Sequence, residues 1–128
     1  MMMLYSSSKS SLVKRLKDIM KTRVKGRKML LCHTFSDLFH RLHKPHLDLK
    51  LVVLMANNSD ELHEILTLKN FLVDLRVVLI LPDRDQKTVA KAHILSPRFL
   101  AYTDSDFEQV EAVIEKMVNV LYPPILSE

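Results

Sequence analysis

Apolar residues in this chain fall into short dense blocks, each followed by a stretch in which they recur every three or four positions. The blocks are RKMLLCHT (Arg27 to Thr34), LKLVVLMANN (Leu49 to Asn58), LRVVLILPDRD (Leu75 to Asp85) and RFLAYTDSDF (Arg98 to Phe107). They read as buried strands, and the stretches between them as amphipathic helices. MMMLYSSS (Met1 to Ser8) predicts a shorter first strand that runs into a serine-rich turn. Five strand–helix pairs in alternation predict an α/β three-layer sandwich, a five-stranded parallel sheet with helices on both faces, over a single domain of residues 1–128.

Local signals refine these elements. Ser8 or Ser10 caps a first helix to about Arg23, in which Leu12, Val13, Leu16, Ile19 and Met20 form the apolar stripe and Gly26 suits the turn that follows. Thr34 or Ser36 opens a short helix with Leu38, Phe39 and Leu42 inward, ended by Pro45. Asn58 caps the third helix, with Glu61 completing a capping box and Leu62, Ile65, Leu66 and either Phe71 or Leu72 facing the core. Asp83 or Asp85 caps a helix over Val89, Ala90, Ala92 and Ile94, which Ser96-Pro97 breaks. The last helix, about Asp106 to Leu121, buries Phe107, Val110, Val113, Ile114, Met117 and Val118, and Pro123-Pro124 stops it.

Composition removes several function classes. Gly26 is the only glycine, whereas phosphate-cradling loops need several for tight turns and close backbone approach. P-loop and dinucleotide-binding chemistry are thereby excluded. Cys32 is the only cysteine, so no internal disulfide forms and a reducing cytoplasm is expected. No apolar run reaches the roughly 18–20 residues that span a bilayer, and Met1 to Leu4 is too short for a signal peptide. No membrane association is expected.

Charge is uneven along the chain. Residues 1–50 carry 12 basic against 3 acidic side chains, a local +9, and residues 51–128 carry 7 against 12, a local −5. Lys14, Arg15, Lys17, Lys21, Arg23, Lys25, Arg27 and Lys28 could meet phosphates, but no aromatic residue is interleaved with them to stack on bases. The solvated face of a lysine-rich helix is the favoured reading, and nucleic acid is not an expected partner.

The segment RFLAYTDSDFEQVEAVIEKMV (residues 98–118) resembles the end of the receiver domain of two-component response regulators, where an aromatic strand residue precedes Lys-Pro-Phe and an amphipathic helix. Phe107, Val110, Val113 and Ile114 fit that apolar pattern, and the alternation along the rest of the chain matches the receivers' flavodoxin-like topology. Receivers that accept phosphate need an acidic pair after the first strand, an aspartate ending the third, a hydroxyl residue ending the fourth and a lysine ending the fifth. This chain has Tyr5, Ser6 and Ser7 at the first place, Leu54, Met55 or Ala56 at the second, Leu81 or Pro82 at the third, and Tyr102 or Ser105 at the fourth. The resemblance therefore implies a pseudo-receiver of bacterial signal transduction, with no catalytic residue and no cofactor.

Candidate sites follow from fold and resemblance together. The resemblance implies a docking surface on the fourth helix, fifth strand and fifth helix, where Lys87, Lys91, His93, Arg98, Tyr102, Glu108 and Glu111 are the exposed candidates. A protein partner or a homodimer through that face is expected. Ligands of such sheets bind beyond the carboxyl ends of the strands, so Ser6, Ser7, Ser8, Asn57, Asn58 and Asp83, with Thr34 beside them, form the alternative site, suited to a small anion or nucleotide. No metal is expected. Asp83, Asp85, Asp104 and Asp106 could in principle bind a cation, but Asp83, Asp85 and Asp106 sit where helix caps belong, which is the favoured reading. His33, His40, His43 and His46 lack a completing cysteine or carboxylate. Cys32 reads as a buried structural thiol rather than a nucleophile activated by His33, because neighbouring strand residues point to opposite faces.

Overall fold

A computed structural model describes residues 1–8, 13–18, 29–44, 49–104 and 107–121. Five strands form one sheet: β1 Met2–Tyr5, β2 Met29–Cys32, β3 Leu51–Met55, β4 Arg76–Leu81 and β5 Phe99–Tyr102. They lie in the order β2-β1-β3-β4-β5, and every pairing is parallel. The helices are α1 (residues 13–18), α2 Phe35–His43, α3 Ser59–Leu66, α4 Lys69–Leu72, α5 Gln86–Ala92 with a 3-10 turn His93–Leu95, and α6 Phe107–Leu121. This is the expected flavodoxin-like sandwich, including the first strand that rested on a methionine run.

Burial along the strands explains the order. β1 and β3 are buried at every position, as a strand flanked on both edges and covered on both faces requires. The edge strands β2 and β5 are only half-buried at most positions. Alternate residues then divide between two cores, following the two-residue period of a strand. Met3, Tyr5, Val52, Leu54, Val77, Leu79 and Leu81 pack under α2, α3 and α5 with Leu38, Leu62 and Ala92. Met2, Leu4, Leu51, Val53, Met55, Val78 and Ile80 pack on the other face under α1 and α6 with Leu16, Val110, Ile114 and Val118.

The caps form where the side-chain chemistry places them. The Asp37 N–H donates to Thr34 Oγ1 (3.1 Å), the Glu61 N–H to Asn58 Oδ1 (2.9 Å) and the Lys87 N–H to Asp85 Oδ1 (3.1 Å). Ser96, at φ 49°, takes the left-handed conformation that turns the chain out of the 3-10 helix before Pro97.

Several details differ from expectation. Phe39 does not face inward: it is 39% exposed, because Leu38 and Leu42 already occupy the buried stripe of α2 and Phe39 lies about 100° round the helix from Leu38. Its ring meets His43 at 4.0 Å, and His43 in turn meets Phe71 at 4.1 Å. The third helix is broken after Leu66 by a turn at Thr67 and Leu68, and α4 follows as a separate single turn. That break buries Leu72 and leaves Phe71 exposed. On α6, Val113 and Met117 are half-buried rather than buried. The cap Ser10, the residues Leu12, Ile19, Met20, Gly26, Pro45 and Asp106, the Phe107 side chain and the Pro123-Pro124 stop lie outside the described residues.

Candidate functional site

Between β1 and β3 the strand order reverses direction, and in open parallel sheets a ligand crevice forms at such a point. Ser6, Ser7 and Ser8 leave β1 there, and Ala56, Asn57 and Asn58 leave β3 beside them. Pairing runs one step past the strands, with the Ser6 N–H on the Cys32 carbonyl (3.1 Å) and the Ala56 N–H on the Ile80 carbonyl (2.9 Å). Each exit turn is thereby anchored to its outer neighbour, that of β1 to β2 and that of β3 to β4.

Glu61, in the first turn of α3, organises this crevice. The Ser7 hydroxyl lies within hydrogen-bond reach of both its carboxylate oxygens, at 2.7 and 2.8 Å. Asn57 donates to Glu61 Oε1 through its side-chain amide (3.1 Å) and its backbone N–H (3.3 Å), and also to Ser7 Oγ (3.1 Å). The capping box expected at Asn58 is thus displaced by one residue. The carboxylate returns to the N–H of Asn57, not Asn58, and gathers a serine from another strand. Placed at a helix N-terminus, it also faces the positive end of the helix dipole.

Ser6 is 2% exposed and completes the packing below. Its hydroxyl reaches Met55 Sδ (3.4 Å) and the Ser8 carbonyl (3.4 Å), and accepts from the Ser8 N–H (3.2 Å). Met55 and Ala56, at the end of β3, are fully buried, so no polar side chain leaves the strand there. Beneath Glu61, the Tyr5 phenol is pushed up to about 12 by burial and then by the charges of Glu61, Glu64 and Cys32. Burial, with a further contribution from Asp37, pushes the Cys32 thiol up to about 12 against a smaller opposing effect of Arg41. Both groups are protonated and inert as nucleophiles at neutral pH. His33 is exposed while Cys32 is buried, which separates that pair.

The structure brings together Ser6, Ser7, Ser8, Asn57 and Asn58. Asp83 stands at the end of β4, where it accepts from the Asp85 N–H (2.9 Å) in the turn leading to α5. Thr34 is committed to the cap of α2. Asp104 forms a two-point ion pair with Arg84 (2.6 and 2.8 Å), whose guanidinium lies 4.3 Å from the centre of the Tyr102 ring. That stack ties the β4–α5 turn to the end of β5. His43 Nδ1 lies 2.7 Å from the Phe39 carbonyl. Among the described residues no cluster of three or more His, Cys, Asp or Glu side chains is placed to hold a metal ion. His46, Asp106 and the basic residues Lys21, Arg23, Lys25, Arg27 and Lys28 lie outside them.

The seven candidate docking residues spread along α5, β5 and α6 at the β5 edge of the sheet. Lys87, His93, Arg98 and Glu108 are exposed. Lys91 Nζ reaches His63 Nε2 (2.9 Å) on α3, Tyr102 lies under Arg84, and Glu111 is half-exposed on α6. Arg98 and Tyr102 flank opposite ends of β5, so they do not form one compact patch. Sequence reasoning took Glu61 only as a cap and passed over Arg84. The signal for the former was a carboxylate three residues after Asn58 and four after Asn57.

No family model matches the chain, and no curated protein matches it. Among solved structures it is similar to a protein of Burkholderia pseudomallei K96243 described as a "Putative pilus assembly-related protein", with a TM-score of 0.63 at 17% identity. The match covers 90% of this chain and 86% of that one. At that identity the likeness is one of fold. No helix among the described residues is long and apolar enough to cross a membrane.

Proposed function

We propose that this chain is a receiver-like signalling and protein-interaction domain that works without catalysis, in the cytoplasm, and docks a protein partner through α5, β5 and α6. Homodimerisation through the same face is part of the proposal. One observation carries it. At the crevice where a receiver does its chemistry, Met55 and Ala56 are buried hydrocarbon and Glu61 takes the donors of Ser7 and Asn57. Phosphoryl transfer needs an acidic pair after the first strand and an aspartate ending the third, and Ser6, Ser7 and Ser8 follow β1 here while Met55 ends β3.

The crevice also suits an anionic ligand poorly. Such a ligand would have to displace a carboxylate from three donors and then sit beside its charge. The β5 edge offers the better surface: among the described residues one side of the strand has no partner strand, and exposed charges of both signs flank it. Isologous two-fold dimers are the commonest oligomers.

Sedimentation velocity over a wide concentration range, with amide line widths followed by NMR, tests the proposal. Concentration-dependent association with broadening confined to α5, β5 and α6 is expected, weakened by Tyr102→Ala and by Glu111→Lys. A strict monomer at millimolar concentration, or broadening centred on α1 and α2, overturns it.

A further inference from the structure

The opposite end of the sheet carries different chemistry. Arg76 opens β4, Arg98 directly precedes β5, and Lys116 lies on the last turns of α6. Together they border a pocket of about 450 Å³. The rest of its wall is apolar: Val113, Met117 and Leu121 form the floor, and Val120, 74% exposed, stands at the lip.

Two features mark this pocket as unfinished. Arg76 and Arg98 are fixed by their backbones, the Arg76 N–H on the Lys50 carbonyl and the Arg98 N–H on the Val77 carbonyl, both at 2.8 Å. Yet among the described residues no carboxylate pairs with the side chains of Arg76, Arg98 or Lys116, whereas Arg41 and Arg84 are each ion-paired. Three like charges around one hollow repel one another, and the hydrocarbon they frame stays wet. A ligand carrying both an anion and an apolar body relieves both costs. Guanidinium groups favour planar, two-point contact with a carboxylate, and pockets of 300–1,000 Å³ with an apolar lining and few polar groups are typical of small-ligand sites.

We propose that this pocket binds an amphipathic carboxylate, its head held by Arg76, Arg98 and Lys116 and its alkyl or aryl body laid on Val113, Met117 and Leu121. The same chemistry is presented by a free medium-chain fatty acid and by the apolar free-acid terminus of a peptide. Of the seven candidate docking residues only Arg98 borders the pocket, and the site stands whether or not that face associates.

The test is an amide-shift titration of the full chain with sodium decanoate and, separately, with N-acetyl-Leu-Leu-Phe as free acid and as amide. Saturable shifts are expected at Arg76, Arg98, Val113 and Met117 with at least one of the two acids, and which one responds identifies the source. The variant carrying Arg76→Gln, Arg98→Gln and Lys116→Gln should bind at least ten-fold more weakly while keeping its wild-type spectrum elsewhere. Raising salt should also weaken binding several-fold. Decanol binding as tightly as decanoate, equal affinity in the triple variant, or no saturable shift with either acid overturns the proposal.

Discussion

At the carboxyl end of the sheet, Glu61 gathers Ser7 and both nitrogens of Asn57, and Met55 closes the space beneath Ser6. At the amino end, Arg76, Arg98 and Lys116 face one pocket and pair with no carboxylate among the described residues. The first end has its polar groups and its charge answered internally, and the second leaves both unanswered. Fold position alone would have ranked them the other way, because parallel sheets place ligands beyond their carboxyl ends. What distinguishes the ends is whether the chain has supplied its own partner for each polar group.

The largest expected effect tests whether the carboxyl end is truly core. Met55→Ala should cost about 2–5 kcal/mol in urea unfolding, as for a buried large-to-small change. A loss below about 0.5 kcal/mol would mean the space under Ser6 tolerates emptying and the crevice is not packed.

Alkaline titration examines the same region through Tyr5 and Cys32. In the folded chain both protons are held to about 12, whereas the ordinary values are 10.0 for the phenol and 9.0 for the thiol. From pH 9 upward the unfolded state therefore binds fewer protons than the native state. Stability is fully present below pH 9 and falls as pH rises toward 12. Urea midpoints measured from pH 8 to 11 should show the decline, and Cys32→Ala should delay its onset toward pH 10. A flat profile would contradict a buried neutral pair.

Glu61→Ala is expected to cost about 1 kcal/mol, since it strands the half-buried donors of Asn57, while the exposed Ser7 hydroxyl turns to water. Glu61→Gln, which keeps an acceptor, should recover more than half of that loss. At the amino end the triple variant of Arg76, Arg98 and Lys116 should shift stability by no more than about 0.5 kcal/mol, because surface charges without partners contribute little. A larger loss there would show that the cations hold the fold and are not held in reserve for a ligand.

The fold was legible in the sequence because parallel strands are buried on both faces and read as apolar runs. Met29–Cys32 and Phe99–Tyr102 fall inside the apolar blocks Arg27 to Thr34 and Arg98 to Phe107, and the caps Thr34, Asn58 and Asp85 follow from local chemistry. Phe39 and Phe71 did not, since an amphipathic stripe shows which residues can be buried and not which neighbours have already filled the core. The sites were less legible for a related reason. Glu61 reaches Ser7 across 54 positions, and Arg76, Arg98 and Lys116 converge from three elements. Spacing along a chain does not contain such meetings until the crossovers are folded.

The account depends most on the carboxyl-end crevice being closed to phosphoryl chemistry. Its direct test is an amide-shift titration with beryllofluoride and Mg²⁺, paired with intact-mass measurement after incubation with acetyl phosphate. No saturable shift at Ser6, Ser7, Ser8, Asn57 or Asn58 is expected, and no mass gain. A stoichiometric phosphoryl adduct, or saturable shifts at those five residues, would contradict the account.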